Sequence, residues 1–444
     1  MHVRTGKALT ALALVLAVAG CSGSTATTAP AASEGATTAP ATEAPATEAP
    51  ATEAPPKVDS INYWYWQDDV TDTTIRNLAG QFEQLYGIKV NIQDSIAQPN
   101  FYQSLVNAIA AENAPDATHL NTNMFGQLID ADILEPLDGY VDAWAKKDDV
   151  IPTMWAFVKG PDGTTYAMPN KFLMFYMYYR ADLFEKYGVA VPKTQQEFVE
   201  AAKAITHPDD GVYGFDIRGG PNGQDQWAAF LVAGGARFLD ESGAVAFNSP
   251  ETKTSNDLYI STFPDSTNPG AVNDGFVQIK ENFKAGAATM IINHLGAAKE
   301  MDAWNAEATG VALIPSTTGD PAQTTYMGTM NANAVLAASE KKEAAFQWIS
   351  FLAEQTAQLA ITKSTNGYLP VVQSVASDPQ FATNKYMQVS LLAAQNAVTA
   401  WPPIPGTTVA TQKTWQPLFQ GALLGQNAND AVVEGVATTL ETGQ

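Results

Sequence analysis

The chain has 444 residues, 45% hydrophobic and 16% charged, which is enough apolar material for two lobes or domains with real cores. Its formal charge is −22 and no basic stripe interrupts it, so nucleic acid is set aside as a partner and a strongly anionic ligand is disfavoured. The single cysteine, Cys21, rules out an intrachain disulfide, a cysteine-rich metal site and a redox pair.

The chain begins "MHVRTGKALTALALVLAVAGC". Arg4 and Lys7 precede an apolar run over 9–18 that is too short to span a bilayer as a mature helix, and small residues precede Cys21. This pattern predicts a secretory signal peptide over residues 1–20. The tail "VAGC" also resembles a bacterial lipobox, which implies cleavage before Cys21 and lipid on its sulfur and new amino terminus. Several acyl chains hold a protein on a membrane where one does not. Losing Arg4 and Lys7 takes the formal charge from −22 to −24. Residues 21–57, with "TEAPATEAPATEAP", are dominated by Ala, Thr, Glu and Pro and can bury no core. Repeated proline favours extended chain, so this stretch reads as a lipid-anchored tether. No later stretch is apolar and long enough for a transmembrane helix.

From residue 60, "SINYWYW" predicts a strand with Tyr63 and Tyr65 on one face and Trp64 and Trp66 on the other. "TTIRNLAGQFEQLYGI" predicts a helix with Ile75, Leu78, Phe82 and Leu85 on one face and Gly87 as its stop. "KVNIQD" is a second strand, and "FYQSLVNAIAAENAPDATHL" a helix and then a strand. This alternation predicts an α/β lobe with a largely parallel sheet. "FLMFYMYY" reads as a buried strand. In "KTQQEFVEAAKAI", Thr194 and Glu197 have capping-box spacing, with Phe198, Ala202 and Ile205 inward. "SEKKEAAFQWISFLAEQTAQLAI" predicts a helix capped by Ser339 with Phe346, Ile349 and Leu352 inward, and "NANDAVVEGVATTLE" a last helix capped by Asn429.

An ordered set of segments resembles one family over most of the mature chain. They are "APDATHL", "YAMPNKFLMFYMYYRADLFEKYGVAVPKTQQEFVEAAKAI", "DGVYGFDIRGG", "FKAGAATMIIN", "GVALIPSTTGDPAQTTYMGTMNANAVLAAS" and "NGYLPV". The chain is identified by them as a member of the bacterial extracellular solute-binding proteins of carbohydrate ABC transporters, the group similar to maltose-binding protein. The resemblance implies a two-lobed α/β binding-protein fold, each lobe a sheet flanked by helices, with chain crossings near residues 168–171, 328–331 and 366–370. It divides the chain into one lobe of residues 58–168 and 330–366 and another of 169–329 and 367–444. It implies a cleft that closes on a carbohydrate like a hinge, capture by permease subunits, a monomer, and a place on the outer face of the cytoplasmic membrane. It implies no catalysis and no cofactor.

A pyranose offers apolar C–H faces and a rim of hydroxyls, so its site needs flat rings and short polar groups. In the family the loop after the first strand contacts the sugar; the matching positions are 66–69, from which Trp66, Gln67 and Asp68 are taken. Asn121, Thr122 and Asn123 match positions that face the cleft, and Asn123 departs from a carboxylate common in the family. At the first crossing Pro169 would stiffen the hinge and Asn170 would reach the ligand, while Lys171 reads as a solvated surface lysine. The family uses the segment of Gln224, Asp225, Gln226 and Trp227 for ligand contact and stacking; Asp225 and Trp227 are taken from it, with core packing the rival reading of Trp227. Many members carry an aromatic platform where this chain has Asn293 and His294, which leaves those two to bind by hydrogen bonds. Tyr326 and Gly328 lie at the second crossing, with Gly328 giving room for backbone to approach a ligand. Tyr368 and Trp401 complete the candidates, Trp401 in a proline-rich loop where it either stacks on a ligand or pins the loop to the body.

Three rival functions compete, and one of them, a structural or adhesive surface protein, fits the tether but leaves the ordered cleft segments unexplained. A secreted glycosidase needs two carboxylates at a defined separation, and adjacent Asp68 and Asp69 would diverge along a strand. No nucleophile elbow, zinc helix, phosphate loop or calcium loop is present in the sequence. The same scaffold also carries polyamines, glycerophosphoesters and iron. Carboxylates near Trp66 would suit a cation; adjacent Tyr178 and Tyr179 point to opposite faces and suit iron poorly.

Overall fold

A computed structural model describes residues 58–67, 72–365, 368–379, 384–394, 396–399 and 401–443. The expected signal peptide, Cys21 and the tether lie outside the described residues, as does Asp68. No helix among the described residues is long and apolar enough to cross a membrane.

The chain opens with β1 (Ser60–Gln67), α1 (Asp72–Tyr86), β2 (Lys89–Ala97), α2 (Gln98–Ala110) and β3 (Ala117–Asn121), in the order the sequence predicts. β1 pairs in parallel with both β2 and β3. The rest of the sheet is mixed. Its strands are β4 (Met168–Arg180), β5 (Met290–His294), β6 (Thr309–Ala312), β7 (Tyr326–Val335) and β8 (Ala397–Thr399). They follow the order β2-β1-β3-β7-β4-β5, with β6 on β4 and β8 on β7. The β3–β7, β4–β7, β4–β5 and β4–β6 pairs are all antiparallel, and β7–β8 is parallel. The expected parallel sheet therefore holds only for the first three strands.

Two long strands position everything else. β4 is 13 residues long and buried as far as Tyr178. Its first half pairs with β7, and its second half with β5 and β6. Every residue of β7 is buried. Residue 369 joins this pair: Phe172 N–H donates to the Leu369 carbonyl at 3.3 Å, and Leu369 N–H returns the bond at 3.0 Å. The segments where crossings are expected thus lie side by side in one ribbon, the third through the single bridge at Leu369. Gln358, fully buried, ties the ribbon down. Its Nε2 donates to the carbonyls of Asn170 and Leu352, each at 2.9 Å, and its Oε1 accepts from Val371 N–H at 3.1 Å.

Local signals decide the helices. In α1, Ile75, Leu78, Ala79 and Phe82 are buried. At about 100° per residue these four span about 100°, and Leu85 falls about 20° beyond them. Leu85 is accordingly 67% exposed, against expectation, and Tyr86 meets Phe82 and Phe351 instead. Gly87 ends the helix at φ +71. The Thr194–Glu197 capping box forms as expected on the helix Gln195–Ile205. Ser339 does not cap the next predicted helix. Its hydroxyl donates to Asp116 at 2.7 Å, and the helix starts three residues later, as Lys342–Phe351, then breaks before Gln355–Thr365. Asn429 stands at the start of the last helix without capping it; its amide donates to Asp257.

One apolar cluster gathers Ile61, Tyr63, Phe82, Trp348 and Phe351 around β1. A second runs from Leu120 and Phe125 through β4 to Trp227, Trp415 and Val436. A third holds Trp66, Phe101 and Leu105.

Candidate functional site

The register of β3, β7 and β4 sets polar residues side by side where the strands cross. His119 stands opposite Asn333, Asn121 opposite Asn331, and Asn331 opposite Lys171. Opposed residues share a sheet face, so one buried face carries an amide-rich stripe. Asn121 Nδ2 donates to Thr329 Oγ1 at 3.1 Å and to Asn331 Oδ1 at 3.0 Å. Asn333 Oδ1 accepts from Tyr63 Oη at 2.7 Å and lies 2.9 Å from His119 Nδ1. Asparagine is depleted in strands, and three sit within these two buried ones.

Lys171 belongs to this stripe. The sequence reading as a surface lysine is overturned, since its side chain is fully buried. Its Nζ donates to Tyr65 Oη at 2.6 Å. It also lies 4.9 Å from the Tyr368 ring centre. The hydrogen bond to Tyr65 and the quadrupole of the Tyr368 ring help replace lost hydration of the ammonium. Tyr65 stacks on His119 at 4.5 Å.

Asn170, next to Lys171, sits at an irregularity of the β4–β7 ladder. Its backbone carbonyl is held by Gln358, but neither Oδ1 nor Nδ2 has a hydrogen-bond partner among the described residues, and the residue is 1% exposed. An amide left so costs about 1–3 kcal/mol per unmet group. Asn333 Nδ2, Thr122 Oγ1 and Asn293 Nδ2 are buried and unmet in the same sense.

The candidates separate into two groups. Asn121, Asn170 and Tyr368 come together on the ribbon. His294 joins their edge: Tyr368 Oη approaches Gly296, whose N–H donates to His294 Nδ1 at 3.0 Å. Asn293 precedes it, fully buried, with Oδ1 accepting from His294 N–H. The aromatic candidates lie apart. Trp66 is 7% exposed and packed against Phe101 at 5.7 Å and His119 at 4.3 Å, while Trp64 is half-buried. Trp227 is fully buried among Phe247, Trp415 and Phe419, with Nε1 donating to Asn256 at 2.8 Å. Trp401, also fully buried, meets Phe238 at 4.6 Å and donates Nε1 to Asp225 at 2.8 Å. Burial raises the carboxyl of half-buried Asp225 above its usual range, against that hydrogen bond and the nearby Arg218. Arg218 itself is pushed down to about 10 by burial.

Gly328 makes room for protein. A Cβ there would lie 2.3 Å from the Phe172 ring. Tyr326 is buried at the start of β7, and Gln67 is exposed at the end of β1. Asp68 and the side chain of Asn123 lie outside the described residues. Sequence reasoning missed His119, Thr329, Asn331 and Asn333. The alternation in "TMNAN", polar residues two apart in a strand, is the signal that finds Thr329, Asn331 and Asn333.

Chemically the stripe offers amides, hydroxyls, one imidazole and one ammonium. Among the described residues no cluster of three His, Cys, Asp or Glu is placed to hold a metal ion.

Residues 65–359 match the family described as bacterial extracellular solute-binding protein. The mannitol-binding protein of Pseudomonas aeruginosa is 28% identical over 322 residues, 67% of this chain and 73% of that protein. An ABC transporter solute-binding protein from Thermotoga lettingae, bound with α-D-tagatose, superposes with a TM-score of 0.75 at 22% identity, covering 87% of this chain and 99% of that one. The GacH receptor of Streptomyces glaucescens, solved unliganded and with acarbose, also gives 0.75, at 21% identity over 87% and 100%. The likeness in structure fixes the fold as that of the two-lobed α/β binding proteins. The chain belongs to the bacterial extracellular solute-binding protein family.

Proposed function

We propose that this protein is a lipid-anchored extracellular receptor that takes a neutral polyhydric solute, a sugar or a polyol, between two lobes and hands it to an ABC permease. The observation that carries the reading is Asn170, an amide buried at the crossing of the long strands with both polar atoms unmet. A hydroxyl donates and accepts at once, so a polyhydric ligand satisfies both atoms of an amide. Mannitol, tagatose and acarbose, the ligands in the names of the relatives above, support that class. In this reading the lobes are residues 58–168 with 330–366 and 169–329 with 367–444. The ribbon is their hinge, Cys21 bears the lipid, and residues 22–57 are the spacer.

Closure brings the turn after β3 onto the loop at Trp401. Gly126 already lies there against backbone: a Cβ would sit 2.8 Å from Pro403 and 2.9 Å from Ile404. Titration calorimetry with a panel of sugars and polyols, paired with solution scattering, tests the proposal. Saturable binding with a smaller radius of gyration is expected, and Gly126→Leu should weaken binding by holding that contact apart. Turnover of labelled oligosaccharides, or no binding by any of the panel, overturns it.

A further inference from the structure

We infer that, within that class, the cargo is an open-chain polyol rather than a pyranose or an oligosaccharide; the inference rests on the binding reading above. A pyranose is held by laying its C–H face on a flat ring. The indoles best placed in the sequence for that task are committed to neighbours in their own segment. Trp66 packs on Phe101 and His119, Trp227 on Phe247, Trp415 and Phe419, and Trp401 on Phe238. The indole N–H groups of Trp227 and Trp401 are used by Asn256 and Asp225. None of these contacts crosses between the proposed lobes, so hinge motion leaves them intact. His294, standing where a platform was expected, lies parallel to the Phe276 ring at 5.4 Å and 4°, again within one lobe.

What the crossing offers instead is hydrogen bonding. Both amide atoms of Asn170, together with Nδ2 of Asn333, are buried and unmet on adjacent strands of the ribbon, beside the Asn121–Thr329–Asn331 cluster. An open-chain polyol carries a donor and acceptor on every carbon and has no flat apolar face to cover. A planar amide can span two neighbouring hydroxyls of such a chain, accepting from one and donating to the other.

The experiment is calorimetry and thermal shift on the full mature chain with mannitol, sorbitol, ribitol, glucose and maltotriose. Sorbitol and glucose share their carbon count and differ by reduction of the ring-forming aldehyde. At least one polyol should bind about tenfold or more tighter than glucose or maltotriose, because a site built to bond hydroxyls rejects a mismatched pattern strongly. Asn170→Ala and Asn170→Ser should each lose about tenfold or more in polyol affinity, with the unliganded melting temperature showing that both fold. Glucose or maltotriose binding as tightly as any polyol overturns the inference and leaves the receptor reading standing. Silence from all five removes both.

Discussion

The ribbon of crossing strands and the aromatic cluster behind the helix Gln224–Ala233 are equally buried, yet their polar atoms fare in opposite ways. In the cluster, the indole N–H groups of Trp227 and Trp401 find Asn256 and Asp225 at 2.8 Å, and Trp415 is the exception. On the ribbon, Asn170, Asn333 and Thr122 keep buried polar atoms with no partner among the described residues. Burial alone therefore does not separate structure from function. A satisfied buried group is explained by the fold; an unsatisfied one costs stability and calls for something that the chain does not supply.

Substitutions can break this contrast. The largest expected effect is Trp227→Ala, which empties the centre of the cluster and should destabilise by about 3–5 kcal/mol, read by denaturant unfolding. Ligand affinity of the folded fraction should stay within about twofold; a larger loss would put Trp227 back in the site. Gln358→Leu deletes three buried hydrogen bonds at about 1 kcal/mol each and strands their backbone partners, so a loss of about 3 kcal/mol is expected. It should also loosen the hinge, seen as a broader range of dimensions in solution scattering.

Asp216 sharpens the contrast from the side of pH. Its carboxyl is 1% exposed, accepts from Asn282 Nδ2 at 2.8 Å, and shares that amide with Asp274. Burial first, then the charge of Asp274, raises it to about 7. A carboxyl raised on folding contributes its stability below the unfolded pKa, near 4, and loses it as pH climbs through 7. Through Asp216 the protein should therefore be more stable at pH 5 than at pH 8 by up to a few kcal/mol. Asp216→Asn should flatten that slope in thermal melts, and an unchanged slope would assign it to other groups. The smallest effect on stability is expected at Asn170. Asn170→Leu should cost under about 1 kcal/mol, or even stabilise, because it removes unmet polar groups. It should abolish binding all the same. If it unfolds the protein instead, the amide is structural and the contrast fails.

Much of the fold was legible, and the reasons are local. The capping box at Thr194 and Glu197, the stop at Gly87 and the periodic apolar faces act within one or two turns, so neighbours in sequence suffice. The antiparallel return of β7 beside β3 was not legible, because nothing near either strand encodes which distant strand will pair. Nor was Ser339: as a cap it looked sound, but Asp116, more than two hundred residues away, takes its hydroxyl. The site divided along the same line. Asn121 and Asn170 were visible as short polar residues at strand ends and crossings. The aromatic candidates misled because a tryptophan signals only large apolar area, and core and cleft both want that. Lys171 misled for the opposite reason, since its burial depends on Tyr65 and Tyr368, one from each end of the chain.

The pairing of Phe172 with Leu369 has a mechanical corollary. β4 is bonded to β7 along its first half and bridged by Leu369 at Phe172, so neither neighbour can slide along it without tearing backbone hydrogen bonds. A displacement of one of these segments is thereby passed on to its neighbours, so motion at this point of the sheet is concerted.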